Sequence, residues 1–327
     1  MDNRIFDNVV ENYSLKIRQT QRLSIGEGRN HSLVDGAGNK YILKVYEIEQ
    51  KERVSFITTI LEFLQPNSQI QFPRPVKNTG GVDHTLLSDK ILVLLHWIQG
   101  TTVEFTNPTM AQELGQAVCT LDDKLGEFYN THQIDYDKYE DSIWNVTNIH
   151  RSAQRMPAIR HLLAEHYGLI NCTIAHFDRV YPDIRNTFDK TLIHNDVNPG
   201  NVLYNRRLKL TGIIDLHEIS HTYRICEVGI TLAYLMQISG SDCMNVGSSF
   251  VRGYAKGYHF TVDEKRILLL LVKLRLSITI IYNTLHLHSG KTLTGTQAQF
   301  IWNAKALLKK LSDVTCDEFV AEMFPPG

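Results

Sequence analysis

The sequence predicts an α+β chain in two parts: a strand-rich N-terminal lobe over residues 1–98 and a mostly helical C-terminal lobe over residues 99–327. Three observations predict it. Asp35-Gly36-Ala37-Gly38-Asn39 separates two short apolar runs, which is hairpin chemistry. Gln99-Gly100 is a natural break in the chain. Beyond it, apolar residues recur at helical spacing almost to the end.

Taken in order, Gln21–Gly28 reads as a strand running into a glycine turn, and His31–Val34 and Lys40–Tyr46 as the hairpin arms. Lys51–Leu64 is a helix with Val54, Ile57, Leu61 and Leu64 on one face, stopped by Pro66-Asn67-Ser68. Phe72–Val76 is extended, because each proline restricts the residue before it. Leu86–Leu87 and Lys90–Ile98 are two further strands. After the break, Met110–Phe128 is amphipathic, with Leu114, Val118, Leu121 and Leu125 in register. Arg155–Glu165 and Cys172–Val180 are shorter helices. Lys190–Asn195 is a strand entering a polar loop, and Asn201–Asn205 with Leu210–Asp215 forms a hairpin. Cys226–Ile238, Cys243–Tyr258, Asp263–His286 and Thr294–Leu311 complete the helical part.

Composition narrows the function. Hydrophobic residues are 43% and charged residues 21%, which argues against disorder. A formal net charge of −1 argues against a nucleic-acid binder. The five cysteines are scattered without a C-x-x-C, so neither a disulfide framework nor a structural zinc site is expected. The N-terminus lacks the pattern of a signal peptide. The longest apolar run, Ile267–Leu274, is interrupted by Lys273 and is short of the ~20 residues a membrane span needs. The expectation is a cytoplasmic protein without membrane or nucleic-acid partners.

The sharpest segment is Thr191–Tyr204, which contains H-x-D-x-x-x-x-N as His194, Asp196 and Asn201. Asp215 follows at the end of an apolar strand. Phosphoryl transfer needs these residue types. A carboxylate must orient the attacking hydroxyl and accept its proton, which suits Asp196. A triphosphate needs Mg²⁺, which favours hard oxygen ligands, and Asn201 and Asp215 offer an amide oxygen and a carboxylate. Pro199-Gly200 suits the tight loop between Asp196 and Asn201. In the first lobe, Gly26, Gly28 and Asn30 form a glycine turn, and Lys44 sits on an apolar strand from which it can reach phosphates. The protein-kinase version of these parts has the same order.

With those residues in place, the chain resembles the aminoglycoside phosphotransferase/choline kinase family from about Tyr13 to Leu311. Ile193–Asn201, Gly212–Ser220 and Glu227–Tyr234 look most like hydroxylysine kinases and homoserine-kinase-like members. The resemblance implies a bilobal, protein-kinase-like fold with a small antiparallel N-lobe sheet. It implies that Asp196 is the catalytic base, that Asn201 and Asp215 hold the metal, and that Lys44 contacts nucleotide phosphates. Leu95, His96, Trp97 and Ile98 match the hinge that receives the base of ATP or GTP. Two departures stand out. Ile57-Thr58-Thr59 occupies the place of a helix glutamate that pairs with the lysine, with Glu52 or Glu62 as substitutes. Leu216-His217-Glu218 follows the metal aspartate where Phe-Gly-Asp is usual.

Other residues carry two readings each. His194 is expected to hold the loop through backbone hydrogen bonds. Glu227 either complements a helix dipole or accepts amides of the catalytic loop. Arg275 is a core ion pair or a clamp for an acceptor carboxylate. Glu218 binds an ammonium or is a solvated loop acid. His217, His221 and Tyr223 are candidates for the acceptor pocket. His194 and Asp196 with a later histidine would also fit a non-haem iron site, but those sites favour β-barrels and this segment is surrounded by helices. The missing helix glutamate would suit a nucleotide-binding pseudokinase, against which stands the complete Asp196, Asn201, Asp215 set. Only a short segment follows Asp215 before the next helix, so a small-molecule acceptor is expected: hydroxylysine- or homoserine-like first, then an aminoglycoside or an amino alcohol.

Overall fold

The computed structural model describes residues 3–23, 30–65, 70–104, 106–292 and 295–325. The chain divides into two compact units, Met1–Gly100 with Thr211–His217, and Thr101–Leu210 with Glu218–Gly327.

The first unit opens on helix α1 (Asn3–Tyr13), which the sequence reading lacks. Ile5, Val9 and Tyr13 recur one turn apart and are buried against Leu33, Leu43 and Leu94. Strands β1 (Ile17–Arg22), β2 (His31–Asp35) and β3 (Lys40–Glu47) follow, then α2 (Lys51–Phe63), β4 (Thr85–Leu87) and β5 (Lys90–His96). Among the described residues these strands form one sheet in the order β1-β2-β3-β5-β4, with every pairing antiparallel. The β2–β3 turn is held by Asp35, whose Oδ1 accepts the Ala37 and Asn39 amides at 2.9 and 2.8 Å. Gly38 sits there at φ +88°, a conformation that favours glycine. Alternation along β3 buries Tyr41, Leu43 and Val45 against α1. It places Lys44 and Tyr46 together on the other face, where α2 supplies Val54, Ile57, Thr58 and Leu61.

The second unit is mostly helical. Helix α3 (Pro108–Thr131) is capped by Asn107, whose side chain accepts the Met110 amide at 3.0 Å, with Pro108 inside the first turn. The predicted helix over Arg155–Glu165 is broken instead. A single turn spans Met156–Ile159, and α4 (Ile149–Ala153) and α5 (Arg160–Leu163) lie on either side of it. Pro157 removes a backbone donor, and Ala164, at φ 50°, ends α5. Helix α6 (His166–Thr187) is far longer than the predicted Cys172–Val180 and continues through Pro182. Strands β6 (Lys190–Ile193), β7 (Val202–Tyr204), β8 (Leu210–Ile213) and β9 (Ser220–Tyr223) come next, and of this stretch Thr211–His217 belongs to the first unit. Strand β9, which the sequence reading lacks, pairs antiparallel with β6. Helices α7 (Arg224–Ile238), α8 (Cys243–Tyr254), α9 (Val262–His288), α10 (Gly295–Ser312) and α11 (Cys316–Met323) complete the unit.

Helix α9 is long and apolar enough to cross a membrane by length and composition, unlike the short run read from sequence, yet 78% of its most apolar window is buried inside the protein. Helices α3 and α8 come into close backbone contact at two glycines. A Cβ on Gly115 would lie 2.1 Å from the Phe250 carbonyl oxygen, and one on Gly253 2.0 Å from that of Gln112. Backbone cannot yield as a side-chain tip can, so Gly115→Ala is expected to destabilise the protein by about 2 kcal/mol or more. Thermal unfolding checks this, and an unchanged melting temperature would contradict so close a crossing.

Candidate active site

In the second unit, β6 delivers the chain into the loop that begins at His194. His194 is fully buried, and its Nδ1 accepts the Asp196 amide at 3.3 Å. Asn195 takes a left-handed conformation, φ 66°, which asparagine tolerates better than most residues. Its amide donates to Glu227 Oε2 at 2.7 Å. Both readings for Glu227 hold: it lies in the first turn of α7 and it makes the loop contact. Burial, then the like charges of Asp122 and Asp196, hold the Glu227 carboxyl well above the usual carboxylate range.

The tight turn at Pro199-Gly200 brings Asn201 back to Asp196. The Asn201 amide nitrogen Nδ2 donates to the Asp196 carbonyl at 2.9 Å and to its Oδ2 at 3.1 Å. Asn198 Nδ2 donates to the same Oδ2 at 2.9 Å, while its own oxygen accepts the Gly200 amide at 2.8 Å. The other carboxylate oxygen, Oδ1, faces the helices. It accepts from Arg275 Nη2 at 2.7 Å and from the Tyr234 hydroxyl at 2.8 Å. Arg275 also donates to the Tyr234 oxygen and, at 2.8 Å, to the Trp144 carbonyl. Its guanidinium lies 4.9 Å from the Trp144 ring centre and 4.8 Å from that of Tyr234. Burial holds the Tyr234 phenol far above neutral pH, so it remains a donor.

In the first unit, Lys44 Nζ lies 2.5 Å from Asp215 Oδ1. Burial pulls the lysine down, but the neighbouring Tyr46 and Asp215 oxygens more than offset it, and the ammonium is held above its ordinary value. Asp215 takes φ 65°, a costly conformation for a non-glycine residue. Beside the pair, α2 presents Ile57 and Thr58, both lining a small apolar cavity with Lys44, Tyr46 and Asp215. Glu62, one of the two acids considered for Lys44, pairs instead with Lys77 at 2.8 Å. Helix α2 is tied to the Asp215 segment by Arg53, which donates to the His217 carbonyl, Nε at 3.0 Å. The His217 ring stacks on Tyr46, with centroids 5.4 Å apart.

The hinge segment is partly committed. The His96 amide donates to the Arg74 carbonyl at 2.9 Å and the Trp97 amide to that of Lys40 at 3.1 Å. Leu95 and Ile98 are buried in the same unit. Asn30 accepts the Leu23 amide at 2.8 Å, whereas Gly26 and Gly28 lie outside the described residues.

Two residues expected at the acceptor pocket, Tyr223 and His221, have other surroundings. Register pairs Ile193 with Ser220 and Lys190 with Tyr223, so Tyr223 sits at the end of β6 remote from the Asp196 loop. It lines a separate cavity of about 830 Å³ with Lys190, Arg224 and Tyr258, among others. His221 turns toward Glu140, 3.1 Å away, and stacks on Tyr129 at 5.1 Å. Asp137, Glu140 and His221 are close enough together to hold a metal, but Lys190 already neutralises Glu140 at 2.5 Å. Glu218 Oε2 accepts the Ser142 hydroxyl at 2.8 Å. Arg275 is buried with the Asp196 contact already made, which is the ion-pair arrangement. The sequence reading gave no role to Tyr234, Trp144, Asn198 or Arg53, although Asn198 lies inside the motif and Tyr234 ends one of the segments that carry the resemblance.

A small antiparallel sheet with a strand lysine tied to an aspartate, and a helical unit carrying an H-x-D-x-x-x-x-N loop, define a kinase-like phosphotransferase. The chain belongs to the phosphotransferase enzyme family (APH), whose model matches residues 20–269. Among curated proteins it is similar to the hydroxylysine kinase of Xenopus laevis, 24% identical over 74% of this chain and 70% of that protein. It is likewise similar to that of Danio rerio, 24% identical over 84% and 80%. Among solved structures it shares the fold of an amicoumacin kinase in complex with AMP-PNP, Ca²⁺ and Ami (TM-score 0.70, 14% identity, 96% of this chain and 95% of that one). A microcompartment-associated aminopropanol kinase is also similar (TM-score 0.62, 16% identity, 94% and 97%). The protein is therefore a small-molecule phosphotransferase with an alcohol group as acceptor.

Proposed function

We propose that the protein moves the γ-phosphoryl group of a nucleoside triphosphate to the hydroxyl of an amino-acid-like acceptor of the hydroxylysine or homoserine kind. The observation that carries the reading is the Asp196 carboxylate, fixed on both edges in a loop that also holds Asn201. Asp196 orients the acceptor O–H and takes its proton as the oxygen–phosphorus bond forms and the bond from the γ-phosphorus to the β,γ-bridging oxygen breaks. The products are the phosphorylated acceptor, a nucleoside diphosphate and a proton that passes to solvent.

Asn201 commits its NH₂ end to Asp196, so the atom it offers a cation is the amide oxygen. That oxygen and the Asp215 carboxylate are both of the hard-oxygen type that Mg²⁺ takes. The cation, when bound, neutralises charge on the triphosphate. Lys44 contributes a permanently charged ammonium for phosphate oxygens, and the glycine turn at Gly26 and Gly28 and the hinge residues Leu95–Ile98 complete the nucleotide site. Glu218, held by Ser142, is the carboxylate we assign to the acceptor's ammonium group. Four hydroxylysine kinases among the curated relatives support this acceptor class.

The test is a nucleotide-consumption screen with ATP and GTP, each with Mg²⁺, across hydroxy amino acids, amino alcohols and aminoglycosides. Diphosphate release above the acceptor-free baseline is expected with hydroxylysine or homoserine. Release with aminoglycosides alone would move the acceptor class. Nucleotide binding without acceptor-dependent release from any compound would make the chain a pseudokinase.

A further inference from the structure

We propose that Arg275 and Tyr234 are positioning residues for phosphoryl transfer: they clamp the Oδ1 edge of the Asp196 carboxylate and leave its Oδ2 edge to meet the acceptor hydroxyl. The inference rests on the reading of Asp196 as the group that orients that hydroxyl. Arg275 is 0% exposed on a helix whose neighbours Leu268–Val272, Leu274 and Leu276 are all buried. A charge in such surroundings is costly unless it is paired and hydrogen-bonded, and an apolar side chain there would be cheaper. The paired charge is Asp196. The guanidinium is held in turn by the Trp144 carbonyl and lies between two rings, so it has little freedom to shift.

The two edges of the carboxylate therefore differ in kind. Each carboxylate oxygen accepts about two hydrogen bonds. Oδ1 accepts from two buried groups, Arg275 Nη2 and the Tyr234 hydroxyl. Oδ2 accepts from Asn198 and Asn201, neutral amides of the loop. The Asn198 amide can give way to an incoming hydroxyl while Asn201 keeps its place, whereas a buried guanidinium–phenol pair cannot. Tyr234 accepts from Arg275 and donates to Asp196, so a single charged group orients the phenol and the carboxylate together.

The experiment compares Tyr234→Phe, Arg275→Lys, Arg275→Ala and Asp196→Asn with the parent protein. The probe is MgATP turnover with hydroxylysine, with basal MgATP hydrolysis as a second readout and thermal unfolding as a check of folding. Tyr234→Phe is expected to lower kcat about 10-fold, the loss of one charge-assisted hydrogen bond. Arg275→Ala is expected to lower it about 100-fold, the scale of a misplaced reacting group. The KM for nucleotide should stay within about twofold in both, since only the acceptor side of the reaction is disturbed. Methylguanidinium should restore part of the rate to Arg275→Ala and none to Asp196→Asn, and Arg275→Lys should fall between the parent and the alanine variant. A purely structural role would lower the melting temperature without that split or that rescue. Folded Tyr234→Phe and Arg275→Ala with parental kcat, or a loss confined to nucleotide KM, overturn the clamp; if Arg275→Ala does not fold, Tyr234→Phe decides. Full turnover in Asp196→Asn would instead remove the underlying assignment of Asp196.

Discussion

Asp196→Asn is expected to reduce acceptor-dependent turnover by about 10³-fold, within the range a positioned proton acceptor supplies, while nucleotide affinity is little changed. Asparagine keeps the shape of the side chain but can no longer take the proton of the acceptor hydroxyl. The same change strips Arg275 of its counter-charge, and breaking a buried pair from one side costs about 3–5 kcal/mol. The variant should therefore melt earlier as well as turn over more slowly. Both measurements are needed: kinetics are taken well below the lowered melting temperature, and nucleotide binding is followed directly by calorimetry. A variant that binds nucleotide and turns over like the parent would end the assignment.

Asp215→Asn is the second large expected effect, a loss of about 100-fold or more in kcat with the Mg²⁺ activation curve displaced to higher concentration. Asparagine is the informative replacement because Asp215 sits at φ 65°, which asparagine tolerates better than alanine. The shape of the loss separates two roles. If Asp215 mainly steadies Lys44, 2.5 Å away, the damage falls on nucleotide KM and the Mg²⁺ curve stays where it was. If it ligates the cation, the curve moves. An unmoved curve with parental kcat would remove Asp215 from the reaction altogether.

Local chemistry was legible in the sequence wherever one short segment carries it. The turn from Asp196 to Asn201, the hairpin at Asp35–Asn39 and the lysine on β3 depend on spacing within a few residues, and the chain shows each as read. Strand β9 was not legible, because Ser220–Tyr223 is only four residues long and buried throughout rather than alternating, until Lys190–Ile193 is laid beside it. That pairing is what carries Tyr223 away from the Asp196 loop. The Arg275 and Tyr234 contacts to Asp196 were hidden for the same reason: they join residues 79 and 38 positions apart. Two misses were avoidable. Ile5, Val9 and Tyr13 keep a helical interval ahead of the first strand. Thr315-x-x-Glu318 is a capping box that announces α11.

The tether between α2 and the segment after Asp215 has a consequence for sequence drift. Arg53 grips a peptide oxygen at position 217, and every amino acid supplies that oxygen. Substitution at 217 can therefore retune whatever chemistry the imidazole provides without loosening the anchorage, whereas no replacement at 53 short of another long, forked donor preserves it. Variation among relatives should accordingly be tolerated on the side that offers main chain and resisted on the side that offers a guanidinium.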